Sequence, residues 1–180
     1  MKKDYLPKYN QFHTIIFDFD GIFTNNKVLV SEDGSESVIC DRSDGLGLDL
    51  LRIFKEKYEW DLELFVISTE KNIVVKKRTE KLKIACFYGV RNKLSFLKNY
   101  LSKSKNKDVN GIIYLGNDLN DLKIMRYVGC SIAPCDAHQI IQLEADYVLP
   151  KKGGSGFVRY FIEKLLRIDE NKNLLEELLK

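Results

Sequence analysis

The sequence has 180 residues and lacks several features that would place a protein in a membrane or outside the cell. No apolar run approaches the roughly 18 residues that a membrane span requires. The first residues, MKKDYLPKYNQF, lack the apolar core of a secretory signal. Repeats and low-complexity tracts are also absent. We therefore expect a cytoplasmic protein that does not bind a membrane.

Cysteine motifs and basic blocks are missing as well. The four cysteines form no CxxC pair and have no histidine cluster beside them, which argues against a zinc site or a disulfide framework. The net charge is only +3, and the lysines are scattered along helical stretches such as Lys71–Lys83 rather than gathered into an uninterrupted basic block. We expect no nucleic-acid partner, because proteins that bind nucleic acid concentrate their basic residues. A small positive charge suits an anionic substrate but is weak support for one.

The apolar residues follow a regular alternation from His13 onward. Short apolar runs alternate with amphipathic segments, which is the pattern of βαβ units and a parallel sheet. We predict one α/β domain over residues 1–180, doubly wound and Rossmann-like, with no separate substrate domain or large cap. The predicted core strands are Thr14–Phe19, Leu62–Ser68, Ile84–Tyr88, Gly111–Gly116 and Cys130–Ala133. The predicted helices are Leu46–Lys57, Lys71–Lys83, Lys93–Ser102, Leu119–Tyr127 and Phe157–Leu166.

Two segments depart from this alternation. β-Branched residues on both sides of Asp33-Gly34 are a strong hairpin signal, so we predict a β-hairpin flap at about residues 26–41, after the first strand. The final stretch has leucines at helical spacing, namely Leu174, Leu175, Leu178 and Leu179. We predict a C-terminal helical tail at about residues 157–180 that docks on the core or on a neighbouring subunit.

The most informative motif places two carboxylates at the end of the first predicted strand. Asp18 and Asp20 follow an apolar run, and Gly21 lets the chain turn away. Ligands of doubly wound sheets bind beyond the carboxyl ends of the strands, so both carboxylates can face one pocket. Asp18 would attack phosphorus as a nucleophile, while Asp20 would protonate the leaving alcohol and later activate water. The simpler alternative is turn chemistry at a strand end.

Two further residues fit the same chemistry. Ser68 ends the second core strand, where its hydroxyl can hydrogen-bond a phosphoryl group. Lys93 opens a helix, where its ammonium can neutralise the nucleophile and the phosphate. Taken singly, each has an ordinary explanation, because serine is a common N-cap and lysine a common surface residue. Their support comes from their order along the chain after Asp18.

A loop rich in acidic and amide side chains follows the strand that ends at Gly116. Its oxygen atoms suit Mg²⁺, which prefers carboxylates, waters and phosphate as ligands. A metal would be needed because Asp18 and a phosphate dianion repel each other. The predicted magnesium site consists of Asp18, Asp20, Asn117, Asp118 and Asp121.

These motifs on successive strand ends resemble the haloacid dehalogenase superfamily over nearly the whole chain. The flap, the loop Asp41–Gly47 and the segment Gly153–Gly156 look more narrowly like its capless branch. That branch includes 3-deoxy-manno-octulosonate (KDO) 8-phosphate phosphatases and sialic-acid or KDN 9-phosphate phosphatases. The resemblance implies a magnesium-dependent phosphatase that forms a homotetramer, in which flaps and C-terminal segments help to close neighbouring active sites.

Asn117 departs from the family pattern, because many members have a magnesium-binding aspartate at this position. The amide oxygen is a hard but neutral ligand, so metal affinity should fall unless Asp118 and Asp121 compensate. The departure leaves a second hypothesis open, a catalytically weak oligomerisation module, since similar modules occur fused to acylneuraminate cytidylyltransferases. A functional link to such an enzyme is part of this hypothesis.

The residues present favour the enzyme over the module. Asp18, Asp20, Ser68 and Lys93 form a complete set of catalytic candidates. A receiver-like signalling domain would share the parallel sheet and the phospho-aspartate chemistry. The hairpin flap and the glycine-rich segment argue against that third reading.

The predicted substrate-binding residues lie in and after these motifs: Thr24, Ser43, Asp44, Thr69, Glu70, Arg78 and Lys81. The spacing of the last three resembles sialic-acid-type 9-phosphate phosphatases, whereas KDO 8-phosphate phosphatases usually have Arg where Glu70 stands. Because roughly 16 Å of helix rise separates Glu70 from Lys81, we expect Glu70 at its own chain's pocket and Arg78 or Lys81 at a neighbour's pocket. A nine-carbon 9-phosphate is the predicted substrate, with KDO 8-phosphate as the alternative.

Overall fold

The protein is described by a computed structural model that covers residues 6–104 and 107–179. Its strands are β1 (Thr14–Phe17), β2 (Thr24–Val30), β3 (Glu36–Cys40), β4 (Glu63–Ile67), β5 (Ala85–Phe87), β6 (Ile112–Leu115), β7 (Cys130–Pro134) and β8 (Tyr147–Leu149). Six of them form a parallel sheet in the order β5-β4-β1-β6-β7-β8. The other two, β2 and β3, form a separate antiparallel hairpin.

Helices cover both faces of the parallel sheet. They are α1 (Ser43–Lys57), α2 (Ile73–Leu82), α3 (Lys93–Ser102), α4 (Leu122–Met125), α5 (Gln139–Glu144), α6 (Phe157–Leu166) and α7 (Lys172–Leu178). The buried residues of α1, α2, α6 and α7 share one core with Ile15 and Phe17 of β1. Those of α3, α4 and α5 share the other core with Ile16. This division follows from the alternation of side chains along a strand.

The order of the strands fixes where a ligand can bind. From β1 the chain moves outward through β4 and β5, then returns to the other side of β1 and moves outward through β6, β7 and β8. In such sheets the crevice lies beyond the carboxyl ends of the strands, at the point where the direction reverses. Phe17 pairs with both Val66 and Leu115. The residues that follow β1, β4 and β6 therefore meet at one edge.

The predicted fold class is confirmed. The sheet is parallel, the hairpin follows β1 and turns at Asp33-Gly34, and no large cap domain occurs within the described residues. Gly34 has a φ of 81°, which glycine adopts without strain. The predicted bounds of α3 and α6 agree with the structure.

Other predicted boundaries were wrong for local reasons. Strand β8 and helix α5 were missed, because three and six residues are too short to show a period. The single helix predicted at Leu119–Tyr127 is instead a 3₁₀ turn followed by the short helix α4. The side chains of Asp118 and Asp121 bond backbone amides there in a capping box, which tightens the turn.

The C-terminal tail docks on the core of its own chain. Leu174 and Leu178 are buried against it, whereas Leu179 is exposed. An ion pair between Lys57 of α1 and Glu177 of α7 adds a polar contact. Residues 1–5 and Lys180, which the predicted domain and tail include, lie outside the described residues. No helix among the described residues combines the length and apolar character of a membrane span.

Candidate active site

The centre of the site is a buried cluster at the carboxyl end of β1. Asp18 directly follows the strand, its amide donates to the carbonyl of Leu115 at 2.8 Å, and it is only 4 % exposed. The ammonium of Lys93, the first residue of α3, lies 2.7 Å from an oxygen of Asp18. It also lies 2.7 Å from Oδ1 of Asp121. One cation therefore joins two carboxylates that come from different strand ends.

The carboxylate of Asp121 holds the cluster together, because both of its oxygens accept hydrogen bonds. Its Oδ1 accepts a second hydrogen bond, at 2.6 Å, from the buried hydroxyl of Tyr114. Its Oδ2 accepts the amides of Asn117 at 2.9 Å and Asp118 at 3.3 Å. A β-carbon at Gly116 would lie 2.7 Å from this carboxylate, so the close approach requires glycine. The carboxylate of Asp121 thus orients Lys93 and shapes the loop.

The electrostatics of the cluster follow from its burial. Burial raises the pKa of Asp18, the charge of Asp121 raises it further, and the ammonium of Lys93 opposes both effects. Burial alone would lower the pKa of Lys93, but the two carboxylates outweigh it and raise that pKa. Lys93 is therefore charged at neutral pH. It supplies the compensating charge that a buried carboxylate needs.

Asp20 occupies a different environment, half-buried at the mouth of the site. Its Oδ1 accepts the hydroxyl of Thr24 at 3.2 Å. The same hydroxyl oxygen accepts the amides of Gly21 at 3.2 Å and Asn26 at 3.1 Å. Burial raises the pKa of Asp20, while the Thr24 hydrogen bond lowers it. Thr24, predicted to bind substrate, is fully buried and instead orients Asp20.

The loop after β6 contains a buried oxygen that suits a metal. Asn117 is buried, and its Oδ1 has no hydrogen-bond partner among the described residues. A β-carbon at Gly21 would lie 1.9 Å from Nδ2 of Asn117, so this side chain packs directly on the Asp18–Gly21 turn. An unpartnered buried amide oxygen beside a carboxylate suits an oxygen-ligated cation.

Three of the other predicted metal ligands have partners of their own, and the carboxylate of Asp20 accepts the hydroxyl of Thr24. Asp118 accepts the amide of Leu119 at 2.7 Å, and Asp121 is committed to Lys93 and the loop. Within the parts of the chain that the structure covers, no three His, Cys, Asp or Glu residues converge as a metal site. Asp18 and Asn117 are thus the members of the predicted set that best fit a cation.

An open cavity of about 230 Å³ lies beside Asp20, between the hairpin and the start of α2. Its polar lining includes the carboxylates of Asp20, Glu36 and Glu70. The side-chain amide of Asn72, the N-cap of α2, donates to the carboxylate of Glu36 at 2.7 Å and so links the hairpin to that helix. The cavity is rich in hydrogen-bond acceptors, which suits the hydroxyl groups of a sugar.

Ser68, Thr69 and Glu70 directly follow β4, and of these Glu70 lines the cavity. Ser68 is buried, and its hydroxyl oxygen accepts the amide of Glu70 at 3.0 Å. Thr69 accepts a hydrogen bond from Asn120 at 3.3 Å. The carboxylate of Glu70 accepts the amides of Lys71 at 2.6 Å and Asn72 at 2.9 Å. Glu70 therefore holds the turn that leads into α2 while it lines the cavity.

The remaining predicted substrate residues lie away from the cavity. Asp44 is fully buried, and Arg78 donates to the carbonyl of Asp41 in its own chain at 2.9 Å. Lys81 is exposed on α2, and Ser43 is half-buried at the start of α1. Among the predicted substrate-binding residues, all of which the structure describes, Glu70 lines the cavity and the other six do not. The placement of Arg78 or Lys81 at a neighbour's pocket stays a prediction.

Sequence reasoning missed three residues that shape the site. Tyr114 looked like an ordinary apolar strand residue, although its position next to the acidic loop was a usable signal. Glu36 and Asn72 lie on separate elements, the hairpin and α2, and meet only in the folded chain. No local pattern distinguishes such a pair from surface polar residues.

The fold and the buried Asp–Lys–Asp cluster define a class of α/β protein that holds a buried aspartate at the switch point of a parallel sheet. Residues 4–161 match the family model of haloacid dehalogenase-like hydrolases, and the chain belongs to that family.

Relatives of known structure and name agree with this assignment. The chain is 31% identical over 174 residues to the 3-deoxy-D-manno-octulosonate 8-phosphate phosphatase of Escherichia coli K12, covering 94% of this chain and 89% of that one. A HAD family hydrolase from Streptomyces avermitilis superposes with a TM-score of 0.81 at 34% identity, and the match covers 89% of this chain and 88% of that one. The 3-deoxy-D-manno-octulosonate 8-phosphate phosphatase of Moraxella catarrhalis was solved in complex with magnesium, phosphate and KDO. It superposes with a TM-score of 0.82 at 26% identity, and the match covers 96% of this chain and 95% of that one.

Proposed function

We propose that the protein is a magnesium-dependent phosphomonoester hydrolase that works through an aspartyl-phosphate on Asp18. The observation that carries this proposal is the buried contact of Lys93 with both Asp18 and Asp121, at 2.7 Å each. It holds a carboxylate in place at the switch point of the sheet, next to an open cavity. The membership of the family supports the same reaction.

The reaction has two steps, and both use residues of the site described above. First, an oxygen of Asp18 bonds to phosphorus while the bond from phosphorus to the alcohol oxygen breaks, and protonated Asp20 gives that oxygen its proton. Then Asp20 removes a proton from water, which attacks phosphorus and breaks the bond to Asp18. The burial that raises the pKa of Asp20 favours its proton-bearing form in the first step.

Magnesium fits the donor set of the site. Asp18 and Asn117 would hold it, because Asn117 Oδ1 is buried and unpartnered among the described residues. When bound, the ion supplies positive charge that reduces the repulsion between Asp18 and the phosphate. Lys93 supplies a fixed charge beside the same carboxylate. The magnesium and phosphate in the Moraxella relative support this assignment.

We propose KDO 8-phosphate, a 3-deoxy-2-ketoacid sugar phosphate, as the substrate, in place of the nine-carbon 9-phosphate predicted from Glu70. The named relatives from Escherichia and Moraxella are octulosonate 8-phosphate phosphatases. The carboxylate of Glu70 accepts the backbone amides of Lys71 and Asn72, so its presence does not by itself require a longer sugar. A sialic-acid or KDN 9-phosphate becomes the second candidate substrate.

The test is a phosphate-release assay with both sugar phosphates, with and without Mg²⁺. We expect magnesium-dependent turnover and a higher kcat/KM for the eight-carbon substrate. Asp18→Asn is the matched control, since it preserves shape but removes the nucleophile. Turnover of neither substrate by the wild type would contradict the proposed function, and a preference for the nine-carbon substrate would reverse the substrate assignment.

We also propose that the chain forms a homotetramer through the hairpin. Val28, Leu29, Val30 and Ile39 are each more than half exposed there, and large apolar patches commonly mark interfaces. Light scattering should detect the tetramer, and Leu29→Glu should dissociate it. Leu143→Glu, at a single exposed leucine on α5, is the matched control. A wild-type monomer with full activity would contradict this proposal.

Two further expectations rest on resemblance and composition and stay predictions. These are the functional link to an acylneuraminate cytidylyltransferase and the cytoplasmic location. Cell fractionation and co-purification from the source cells would test both.

A further inference from the structure

Asp44 is a buried carboxylate that the proposed reaction does not use. It lies in the first turn of α1 and is fully buried. Its Oδ1 accepts the amide of Arg159 at 3.0 Å, and its Oδ2 has no hydrogen-bond partner among the described residues. The backbone amide of Val158 also stabilises its charged form. Burying a carboxylate is costly, so its presence calls for a reason.

The two amides belong to the first turn of α6. The N-cap of that helix is Gly156, which has no side chain to accept them. Asp44 supplies the missing acceptor from a distant part of the chain, and its negative charge suits the positive end of the helix dipole. A β-carbon at Gly47 would lie 2.8 Å from the Cα of Arg159, so α1 and α6 approach closely here.

The segment that leads into α6 lies directly on the catalytic turn. A β-carbon at Gly153 would lie 1.9 Å from the carbonyl oxygen of Gly21. The amide of Gly154 donates to the carbonyl of Ile22 at 3.0 Å. Gly21 and Ile22 directly follow Asp20 in the chain. The position of this glycine segment therefore limits where Asp20 can be.

We propose that Asp44 is a positioning residue, which anchors the first turn of α6 and thereby holds the Gly153–Gly156 segment against the turn that carries Asp20. Asp44 has no contact with the cavity, so its effect on substrate is indirect. The catalytic part of this inference rests on the proposed function. The structural part, a link from Asp44 to the Asp20 turn, does not.

The experiment compares Asp44→Ala with Asn171→Ala by hydrogen exchange. Asn171 caps α7, where its Oδ1 accepts the amide of Leu174 at 3.1 Å, and it has no part in the site. We expect Asp44→Ala to speed exchange about tenfold in residues 153–159 and also in residues 18–24, by easing local opening. The control should speed exchange at the start of α7 and leave both segments unchanged. Faster exchange confined to residues 153–159 would overturn the inference.

Single-turnover cleavage adds a readout that lost stability alone would not change. If Asp20 is displaced in Asp44→Ala, the rate of cleavage of an alkyl phosphate should fall about tenfold. The rate for p-nitrophenyl phosphate should fall less, because nitrophenolate leaves without a proton donor. The control should cleave both esters within twofold of wild type. Equal slowing of both esters, or none, would overturn the catalytic role.

Two provisions keep the result decisive. Asp44→Leu keeps a similar side-chain volume but removes both acceptor oxygens, so it replaces Asp44→Ala in the same comparison if the alanine variant does not fold. The exchange measurement needs no turnover, so it decides the structural link even for an inactive wild type. Inactivity would instead refute the proposed function.

Discussion

The carboxylates at the sheet edge fall into two groups that differ in how their oxygens are used. Asp18 and Asp121 are buried and share the ammonium of Lys93. Glu36 and Glu70 are exposed on an open cavity and contact the start of α2. A buried charged group with fixed partners resists movement, whereas an exposed one can rearrange. We infer that the cluster fixes the chemistry and that the cavity adjusts the choice of substrate.

The most severe way to break the cluster is Asp18→Asn. An amide has nearly the shape of the carboxylate but is a poor nucleophile, so we expect no turnover above background and an intact fold. Steady-state phosphate release and circular dichroism would measure the two properties. Magnesium-dependent activity in the variant would show that another group attacks phosphorus.

Asp20→Asn should be the next most severe change. Proton transfer by a positioned group contributes roughly 10²- to 10⁴-fold, and asparagine provides none. We therefore expect kcat to fall within that range while KM changes little. A variant within a few fold of wild type would remove Asp20 from the acid and base role.

Asp121→Asn tests the support of the cluster. The variant removes the charge that holds Lys93 beside Asp18. We therefore expect kcat to fall roughly 10- to 100-fold, which is the usual loss when a residue that orients an active-site group is replaced. The loss should be smaller than that of Asp18→Asn. An equal loss would mean that Asp121 itself contacts the reacting group or the metal.

Glu70→Arg tests the cavity. Charge reversal there should change the ratio of kcat/KM for the two sugar phosphates by about tenfold, in favour of the eight-carbon substrate. Turnover of p-nitrophenyl phosphate should stay within a few fold, because the cluster is untouched. Lys77→Glu, a charge reversal on the exposed side of α2, is the matched control. An unchanged ratio of kcat/KM would show that Glu70 does not select between the two sugar phosphates.

The smallest effect on turnover should come from Asp44→Asn, whose informative property is stability against pH. Burial raises the pKa of Asp44 from 3.8 to about 6, although the amides of Arg159 and Val158 and the charge of Arg78 lower it and Asp41 raises it. A raised pKa contributes stability that is present below pH 3.8 and lost as the pH rises through about 6.

Asparagine does not titrate, so the wild type should lose stability relative to the variant between about pH 4 and pH 7. The change is on the order of 2 to 3 kcal/mol, since one pKa unit is worth about 1.4 kcal/mol. Urea unfolding of both proteins at several pH values would measure it. Parallel curves for the two proteins would show that Asp44 has an ordinary pKa.

Sequence reasoning succeeded where the signal was local. The apolar run before Asp18, the hairpin turn at Gly34 and the start of α3 at Lys93 each depend on neighbouring residues, and the structure has all three. A parallel sheet then brings successive strand ends together, which is why Asp18, Ser68 and Asn117 could be assigned to one edge.

Long-range partners could not be predicted in the same way. Asp44 looked like a substrate residue, because nothing in its neighbourhood shows that it bonds an amide 115 residues away. Asp121 looked like a metal ligand, because the contact with Lys93 forms only when α3 packs beside the loop. Both assignments depended on side-chain direction, which a single sequence does not specify.

The contact between Gly21 and Asn117 also limits which sequences this site tolerates. Any side chain at position 21 would collide with the amide, and the φ of 77° there strains every residue except glycine. Aspartate at position 117 has the same shape as asparagine, so it would leave the collision unchanged. Asn117→Asp would therefore introduce a charged metal ligand without requiring a second substitution at position 21. Engineers who wish to strengthen the metal site can therefore vary position 117 alone and leave the glycine fixed in every library.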